Sequence, residues 1–308
     1  MVSRPRRNGP ALDMAYAACR AIAKREAKNF YYAFVALPEA RRNAICAIYA
    51  FMRQADDLAD DESLSRVERR RRLDAWQAHW RGMCHGGDSS DPVFLAVRDA
   101  VERFAIPLNL LDELVDGVTM DLKPDANDEP DTYATFDDLY RYCYLVASVV
   151  GLVCIRIFGY HDQRAEMLAE ETGIAFQLTN ILRDVAEDAE RNRVYLPLED
   201  LAAHGVSLDG LLHRVPGAPP TAEERALLAE IAGRAEKFYA SAQALLPLID
   251  RESRPALWVL VRIYHALLKR IERADYDVFS RRARVPMMEK LGILAVGLTR
   301  MGWARMIG

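Results

Sequence analysis

Two segments, more than a hundred residues apart, each place a polar stripe on a helix that is otherwise apolar. At ~100° per residue, positions spaced i, i+4, i+7 and i+11 share one helical face. In the first segment those positions hold Tyr49, Arg53, Asp56 and Asp60, within "AICAIYAFMRQADDLADD". In the second, "GIAFQLTNILRDVAEDAERNRVYLP", Gln177, Asn180, Asp184 and Asp188 line one face at nearly the same spacing. Ile174, Leu178, Ile181 and Val185 line another face there, as a core stripe does. Like charges at i, i+4 cost a helix a few tenths of a kcal/mol. Near a core they also lose solvation, which costs far more unless a counter-charge is at hand. Arg53 and Arg183 are candidate counter-charges, and a metal ion is another. The ligand set is all oxygen, which suits a hard cation such as Mg²⁺. Mg²⁺ takes one or two carboxylates and completes its shell with water and phosphate oxygens. Taken singly, "DDLADDE" reads as a solvated helix end and "RDVAEDAER" as an exposed salt-bridged face. Two such stripes, each behind an apolar run, favour a shared site. No EF-hand loop is present, nor the Glu-x-x-His pairs of di-iron bundles.

The 308 residues are 51% hydrophobic and 28% charged, enough for one large core, and Ala, Leu, Arg and Glu dominate over alternating Val, Ile and Thr. Periodicity predicts helices near 13–27, 38–60, 65–82, 92–104, 107–118, 136–159, 162–187, 222–247, 253–277 and 286–304. The breaks carry turn chemistry: "CHGGDSSDP", "LKPDANDEPD" and "HRVPGAPPT". None resembles a long linker. The expectation is a flexible tail over 1–12 and one all-α domain over 13–308.

A net charge of −4 argues against general nucleic-acid binding. The basic start "MVSRPRRNGP" lacks the apolar centre of a signal peptide. No stretch reads as the ~20 apolar residues that span a bilayer. Five scattered cysteines with no CxxC pair suggest a reducing cytoplasm. The tail "EKLGILAVGLTRMGWARMIG" mixes Leu, Ile and Trp with Lys and Arg. It reads either as an interfacial helix giving peripheral membrane contact or as one packed on the domain. A monomer or weak dimer is expected.

These motifs resemble the squalene/phytoene synthase family, the head-to-head prenyl transferases. "NFYYAFVALPEARRNAICAIYAFMRQADDLADD" is similar to the family's first aspartate-rich region and "QLTNILRDVAEDAERNRVYLP" to its second. "YCYLVASVVG" looks like its central tyrosine motif, and "RIYHALLKRIERADYDVF" like its C-terminal helix. The resemblance implies an all-α isoprenoid-synthase bundle around a deep central cavity. It implies two prenyl diphosphate substrates and Mg²⁺. Asp56 and Asp60, with Asp57 beside them, match the first set of metal aspartates; Asp184 and Asp188 match the second, with Asn180 as a further metal or phosphate contact. Arg53, Arg183, Arg193, Tyr264 and Arg281 fall where diphosphate contacts are expected, Tyr142 where a tyrosine assists ionisation or proton transfer, and Gln177 near the cavity wall. Two positions depart from the family pattern. Ala27 stands where a serine hydroxyl is usual, and Ser148 replaces a glycine, which narrows local helix packing.

The implied reaction starts with departure of diphosphate, whose charge metal and arginines stabilise. Arg holds phosphate oxygens bidentately. The allylic cation needs a dry aromatic wall, worth on the order of 2 kcal/mol per desolvated face. Phe30, Phe34, Tyr49 and Phe51 are candidates for it, and plain core packing is the competing reading for the phenylalanines. The six histidines show no catalytic spacing. Overall resemblance to bacterial presqualene diphosphate synthases favours condensation of two farnesyl diphosphates to presqualene diphosphate on a hopanoid or squalene route. NADPH is needed only if the reaction continues to squalene. Phytoene synthase, joining two geranylgeranyl diphosphates, is the alternative. More distant rivals are an all-α nucleoside-triphosphate pyrophosphohydrolase and a non-catalytic helical binding protein.

Overall fold

A computed structural model describes residues 9–120, 122 and 130–306, apart from the side chains of 28–30, 32 and 300–306. Helices begin where the sequence supplies caps. Pro10 opens α1 (Pro10–Glu26) after Gly9, so positions 10–12 belong to the helix. A serine, Ser65, caps α4 (Arg66–Cys84) by accepting the Glu68 amide. Asp91 accepts the Val93 amide ahead of Pro92 in α5 (Pro92–Phe104). Thr135 and Asp138 form a reciprocal capping box on α7 (Phe136–Cys143), as Thr221 and Glu224 do on α12 (Ala222–Leu245). The remaining long helices are α3 (Glu39–Ala59), α6 (Leu108–Thr119), α8 (Val149–Phe158), α9 (Arg164–Glu190), α13 (Arg254–Arg273) and α14 (Met287–Met306). Periodicity predicts no helix for α2 (Lys28–Val35), α10 (Leu198–His204) or α11 (Leu208–Leu212). These three are too short to display a repeating face.

The long helix α9, 27 residues, runs through the middle of the bundle. It packs against α7, α8, α12 and α13, while α3 lies against α1, α5 and α8 on the other side. Its own Ile174, Leu178, Ile181 and Val185 are buried, as their spacing requires. Arg41 ties three elements together: its guanidinium donates to the Phe158 carbonyl at 2.6 Å and to Asp250 at 2.7 Å, and also to Ser253.

The predicted single helix over 136–159 has a flaw at its centre. Residues Tyr144–Ser148 form a π-helical turn between α7 and α8, the kind of bulge that re-aims neighbouring side chains. Among the described residues this 136–158 helix is long and apolar enough to cross a membrane, which corrects the expectation that no stretch is. Its contacts with α6 and α9 place it inside the bundle. At the bulge the buried Ser148 hydroxyl donates to the Glu170 carbonyl at 2.7 Å. Space for it comes from Gly173 of α9, where an added Cβ would lie 2.5 Å from the Ser148 Cα. The close approach expected at Ser148 is therefore relieved from the opposite helix.

Two short strands, β1 (Asp131–Thr132) and β2 (Arg193–Val194), pair in parallel with Asp131 opposite Arg193. With the Leu198 and Glu199 amides on the Tyr133 and Ala134 carbonyls, they strap the chain leaving α9 to the chain entering α7. The C-terminal helix α14 packs on α13 and α2, yet Met287, Met288, Leu291 and Val296 stay exposed.

Gly173→Ala is expected to push α9 away from the π turn and destabilise the protein by about 1–3 kcal/mol, the usual cost of overpacking. Urea unfolding midpoints of the two proteins check this; equal midpoints would mean the helices separate freely.

Candidate active site

The α9 stripe stands beside the core. Asn180 donates to Gln177 Oε1 at 3.3 Å, while its own carbonyl oxygen Oδ1 is buried with no hydrogen-bond partner. Arg183 forks onto the neighbouring Asp184, with Nε 2.7 Å from Oδ1 and Nη2 on Oδ2. A second arginine, Arg282, reaches the same carboxylate at 2.7 Å and Glu187 at 3.0 Å. One turn further, burial pushes the Asp188 carboxyl up to about 7, and the charge on Asp184 adds to this against the opposing pull of Arg193 and Arg191.

On the α3 stripe, Arg53 pairs with Asp57 at 2.5 Å. Asp60 is the exposed C-cap of α3, its amide on the Asp56 carbonyl at 2.8 Å. Tyr49 sits half-buried with Phe34 edge-on at 6.1 Å. Burial raises the Tyr49 phenol, and Asp56 and Glu26 reinforce the shift. Glu26, at the end of α1, also acts on Arg53. The sequence reading missed it because it belongs to neither stripe.

The two stripes meet at Tyr264 of α13. It is buried and stacks face to face on Phe176, with centroids 4.5 Å apart and planes at 18°. Its hydroxyl bonds with Asn180 and lies within electrostatic reach of Arg183 and Asp184 on α9 and of Tyr49 on α3. Burial pushes that phenol up to about 12. Among the described residues no three His, Cys, Asp or Glu side chains gather closely enough to hold a metal by themselves. The carboxylates that would do so are divided between two helices, and Asp57 and Asp184 are turned onto arginines.

Tyr142, just ahead of the π turn, stacks on Tyr195 at 4.9 Å and 21° and touches Tyr133 at 5.3 Å. The strap formed by β1 and β2 brings Tyr195 to this place, with Arg193 3.9 Å from Asp131. A small open notch beside Asp188 is lined by Val185, Arg193, Tyr195 and Leu196. Tyr142 thus borders the α9 stripe through Tyr195.

Other candidate residues are placed differently. Phe51 is fully buried among Trp76, Trp80 and Phe94, at 4.6, 5.2 and 6.2 Å, so it belongs to an aromatic core and not to a cavity wall. The side chain of Phe30 lies outside the described residues. Arg281 is exposed in the segment after α13, where it acts on Asp277, and its neighbour Arg282 is the one that reaches Asp184. "RRAR" offers three arginines with no helical period to choose between them.

Carboxylates and arginines thus stand on two helices, α3 and α9, that Tyr264 of α13 links. Residues 23–289 match the squalene/phytoene synthase family model, and the chain belongs to that family of prenyl transferases. A 15-cis-phytoene synthase from Synechococcus elongatus is 34% identical over 97% of this chain and 97% of its own. A phytoene synthase from Mycobacterium tuberculosis is 35% identical over 93% of this chain and 91% of its own. Among solved structures, a dehydrosqualene synthase in complex with ligand is similar with a TM-score of 0.81 at 29% identity, over 95% of this chain and 98% of that one. A squalene synthase from Alicyclobacillus acidocaldarius follows with a TM-score of 0.77 at 26% identity, over 88% and 97%. Relatives named phytoene synthase over nearly the full length overturn the expectation of farnesyl condensation to presqualene diphosphate on a hopanoid route.

Asp188 gives the site a pH signature. Below its ordinary value of 3.8 the carboxyl is neutral in the folded and unfolded chains alike. Between there and about 7 the unfolded chain has released the proton while the folded chain keeps it, so this contribution to stability falls as pH rises. Above about 7 both forms are ionised and the contribution is constant. Asp188→Asn is expected to flatten this slope and to be more stable than the unsubstituted protein at pH 8, measured by urea unfolding without divalent cations. Parallel stability curves would place the titration elsewhere.

Proposed function

We propose that this protein joins two geranylgeranyl diphosphates head to head to give phytoene. The observation that carries this reading is the set of phytoene synthases at 33–36% identity, several of them aligned over more than nine-tenths of this chain. NADPH belongs to onward conversion to squalene, and phytoene formation is not that conversion.

Mg²⁺ fits the residues present. The donors are all oxygen, the buried Asn180 Oδ1 lacks a hydrogen-bond donor, and burial, with the neighbouring Asp184, raises the Asp188 carboxyl, as an anionic ligand set kept from water would be. Asp56, Asp57 and Asp60 on one helix and Asn180, Asp184 and Asp188 on the other would hold it. Bound there, it supplies Lewis-acid stabilisation of a departing diphosphate.

The chain's own groups do the rest. Arg53, Arg183, Arg193 and Arg282 fork onto diphosphate oxygens as charge develops on them. The Tyr264 phenol, held neutral by burial, donates to the same anion, and Gln177 keeps the Asn180 amide oriented. Phe34 and Tyr49 give the allylic cation an aromatic face, while the buried helices around them exclude water that would trap it as an alcohol. The second substrate's double bond then attacks, and loss of a proton closes a cyclopropane that still carries the second diphosphate; departure of that diphosphate, opening of the ring and loss of a second proton give phytoene with no reductant. Tyr142, stacked on Tyr195, orients the released diphosphate that takes the first of these protons.

Purified protein given Mg²⁺ and geranylgeranyl diphosphate should form a C40 hydrocarbon identified by mass spectrometry. A C30 product from farnesyl diphosphate, with no C40 product, would refute the reading. Asp56→Ala and Asp184→Ala should each lower turnover by at least about a hundredfold with the helical circular dichroism unchanged. Normal turnover in both would remove the two-stripe site.

Arg282 and Arg281 form an internal control. Arg282→Ala is expected to raise KM for the diphosphate substrate about tenfold or more, the loss of a charge-assisted hydrogen bond, and Arg281→Ala to raise it less. Steady-state kinetics on both decides the order, and the reverse order would reassign the contact.

A further inference from the structure

Behind the α9 stripe lies a buried polar contact that the chemistry above does not use. Tyr239 of α12 is 1% exposed, and Thr179 of α9 is fully buried. Their hydroxyl oxygens are 2.9 Å apart. Thr179 donates to the Ala175 carbonyl at 2.8 Å. That commits its single proton, so Tyr239 is the donor to Thr179. A phenylalanine would fill the same space with no polar atom to satisfy, so the hydroxyl has a use other than packing.

The neighbours of Tyr239 indicate that use. Its ring lies 6.0 Å from Phe176, the residue on which Tyr264 stacks. On its other side it meets His265 at 4.7 Å. The His265 Nε2 in turn bonds the Glu236 carboxylate of α12 at 2.9 and 3.0 Å. Three helices are therefore pinned at one ring. Thr179 immediately precedes Asn180, and Tyr264 bonds with Asn180. The ring and hydroxyl of Tyr239 thus hold Asn180 from two sides: through the rotation of α9 at Thr179, and through Phe176 and Tyr264.

We propose that Tyr239 is a positioning residue, whose hydrogen bond to Thr179 and contact through Phe176 aim the buried Asn180 carbonyl oxygen at the cation that accompanies diphosphate. The inference rests on the functional reading above. Groups behind a metal ligand orient it, and removing one typically costs ten- to a hundredfold in metal affinity.

The test reads binding without turnover. Mn²⁺ serves as the probe with inorganic pyrophosphate and the full-length protein, and free Mn²⁺ is followed by electron paramagnetic resonance. Tyr239→Phe is expected to raise the Mn²⁺ Kd about tenfold. Thr179→Val should do the same, and Thr179→Ser, which keeps the hydroxyl, should bind as the unsubstituted protein does. On an Asn180→Ala background, Tyr239→Phe should add less than about twofold, because its effect passes through Asn180. If Tyr239→Phe and Thr179→Val lower the unfolding midpoint but leave Kd unchanged, the contact is structural and the inference falls alone. A full, additive loss in the double variant overturns it as well. If the unsubstituted protein does not hold Mn²⁺ with pyrophosphate, the functional reading falls and takes this inference with it.

Discussion

Burial of a carboxylate ridge, Asp184 and Asp188, with the repulsion between the two, is the constraint around which this molecule is arranged. Carboxylates one turn apart on a helix sit ~6 Å from each other, and at an effective dielectric of ~20 that is about 3 kcal/mol of repulsion. A surface helix would shed it into water. Here the adjoining face of the same helix, Ile181 and Val185, is buried, and the structure answers in two ways. Asp184 lies beneath two guanidinium groups, those of Arg183 and Arg282. Asp188 lacks an equivalent fork, so burial and its neighbour push it toward keeping its proton. One carboxylate is paired and the other is held close to neutral.

Much of the remaining architecture follows from supplying those partners. Arg282 comes from the segment after α13, and that segment is itself held down. Phe279 lies under the Arg214 guanidinium at 3.9 Å, and Asp275 pairs with Arg225 of α12 at 2.8 Å. Arg193, which opposes the shift on Asp188, is placed by the two-residue parallel ladder with Asp131. That same ladder delivers Tyr195 to Tyr142. Loops that look like connections in the sequence are the parts that fix charge and aromatic surface around α9.

The helical stripes were legible in the sequence because a side chain's face follows directly from its position along a helix. Tyr49 to Asp60 and Gln177 to Asp188 needed only that period. The π turn at Tyr144–Ser148 was not legible, since it lies where α9 brings Gly173 close to Ser148, a contact between distant segments. Nor was the choice of Arg282 over Arg281, which depends on how a non-helical segment is tethered. Tyr239 looked like any core aromatic, and its hydroxyl gains meaning only from Thr179, sixty residues away. The substrate is illegible in the motifs for a related reason. Farnesyl and geranylgeranyl diphosphates present the same charged head, so the aspartate and arginine motifs are blind to the difference. The distinction lies in how the hydrocarbon is enclosed, a property of the whole chain, and similarity over the whole chain to proteins named phytoene synthase is what supports the proposal of the longer substrate.

This arrangement couples the stability of the fold to occupation of the site. A protonated Asp188 and a doubly paired Asp184 describe a carboxylate ridge managed with internal resources alone. A divalent cation would relieve the same repulsion, letting Asp188 ionise and freeing Arg183 and Arg282 to face a diphosphate. A cation that binds the folded chain and not the unfolded one stabilises the fold by mass action. The requirement is that the oxygens be aimed before the ligand arrives, since an error of ~1 Å in a reacting geometry costs on the order of a hundredfold. A rigid, aromatic and hydrogen-bonded backing behind Asn180 and Tyr264 is the counterpart of a strained charge ridge in front of them. The ridge supplies affinity, and the backing keeps that affinity directed at one geometry.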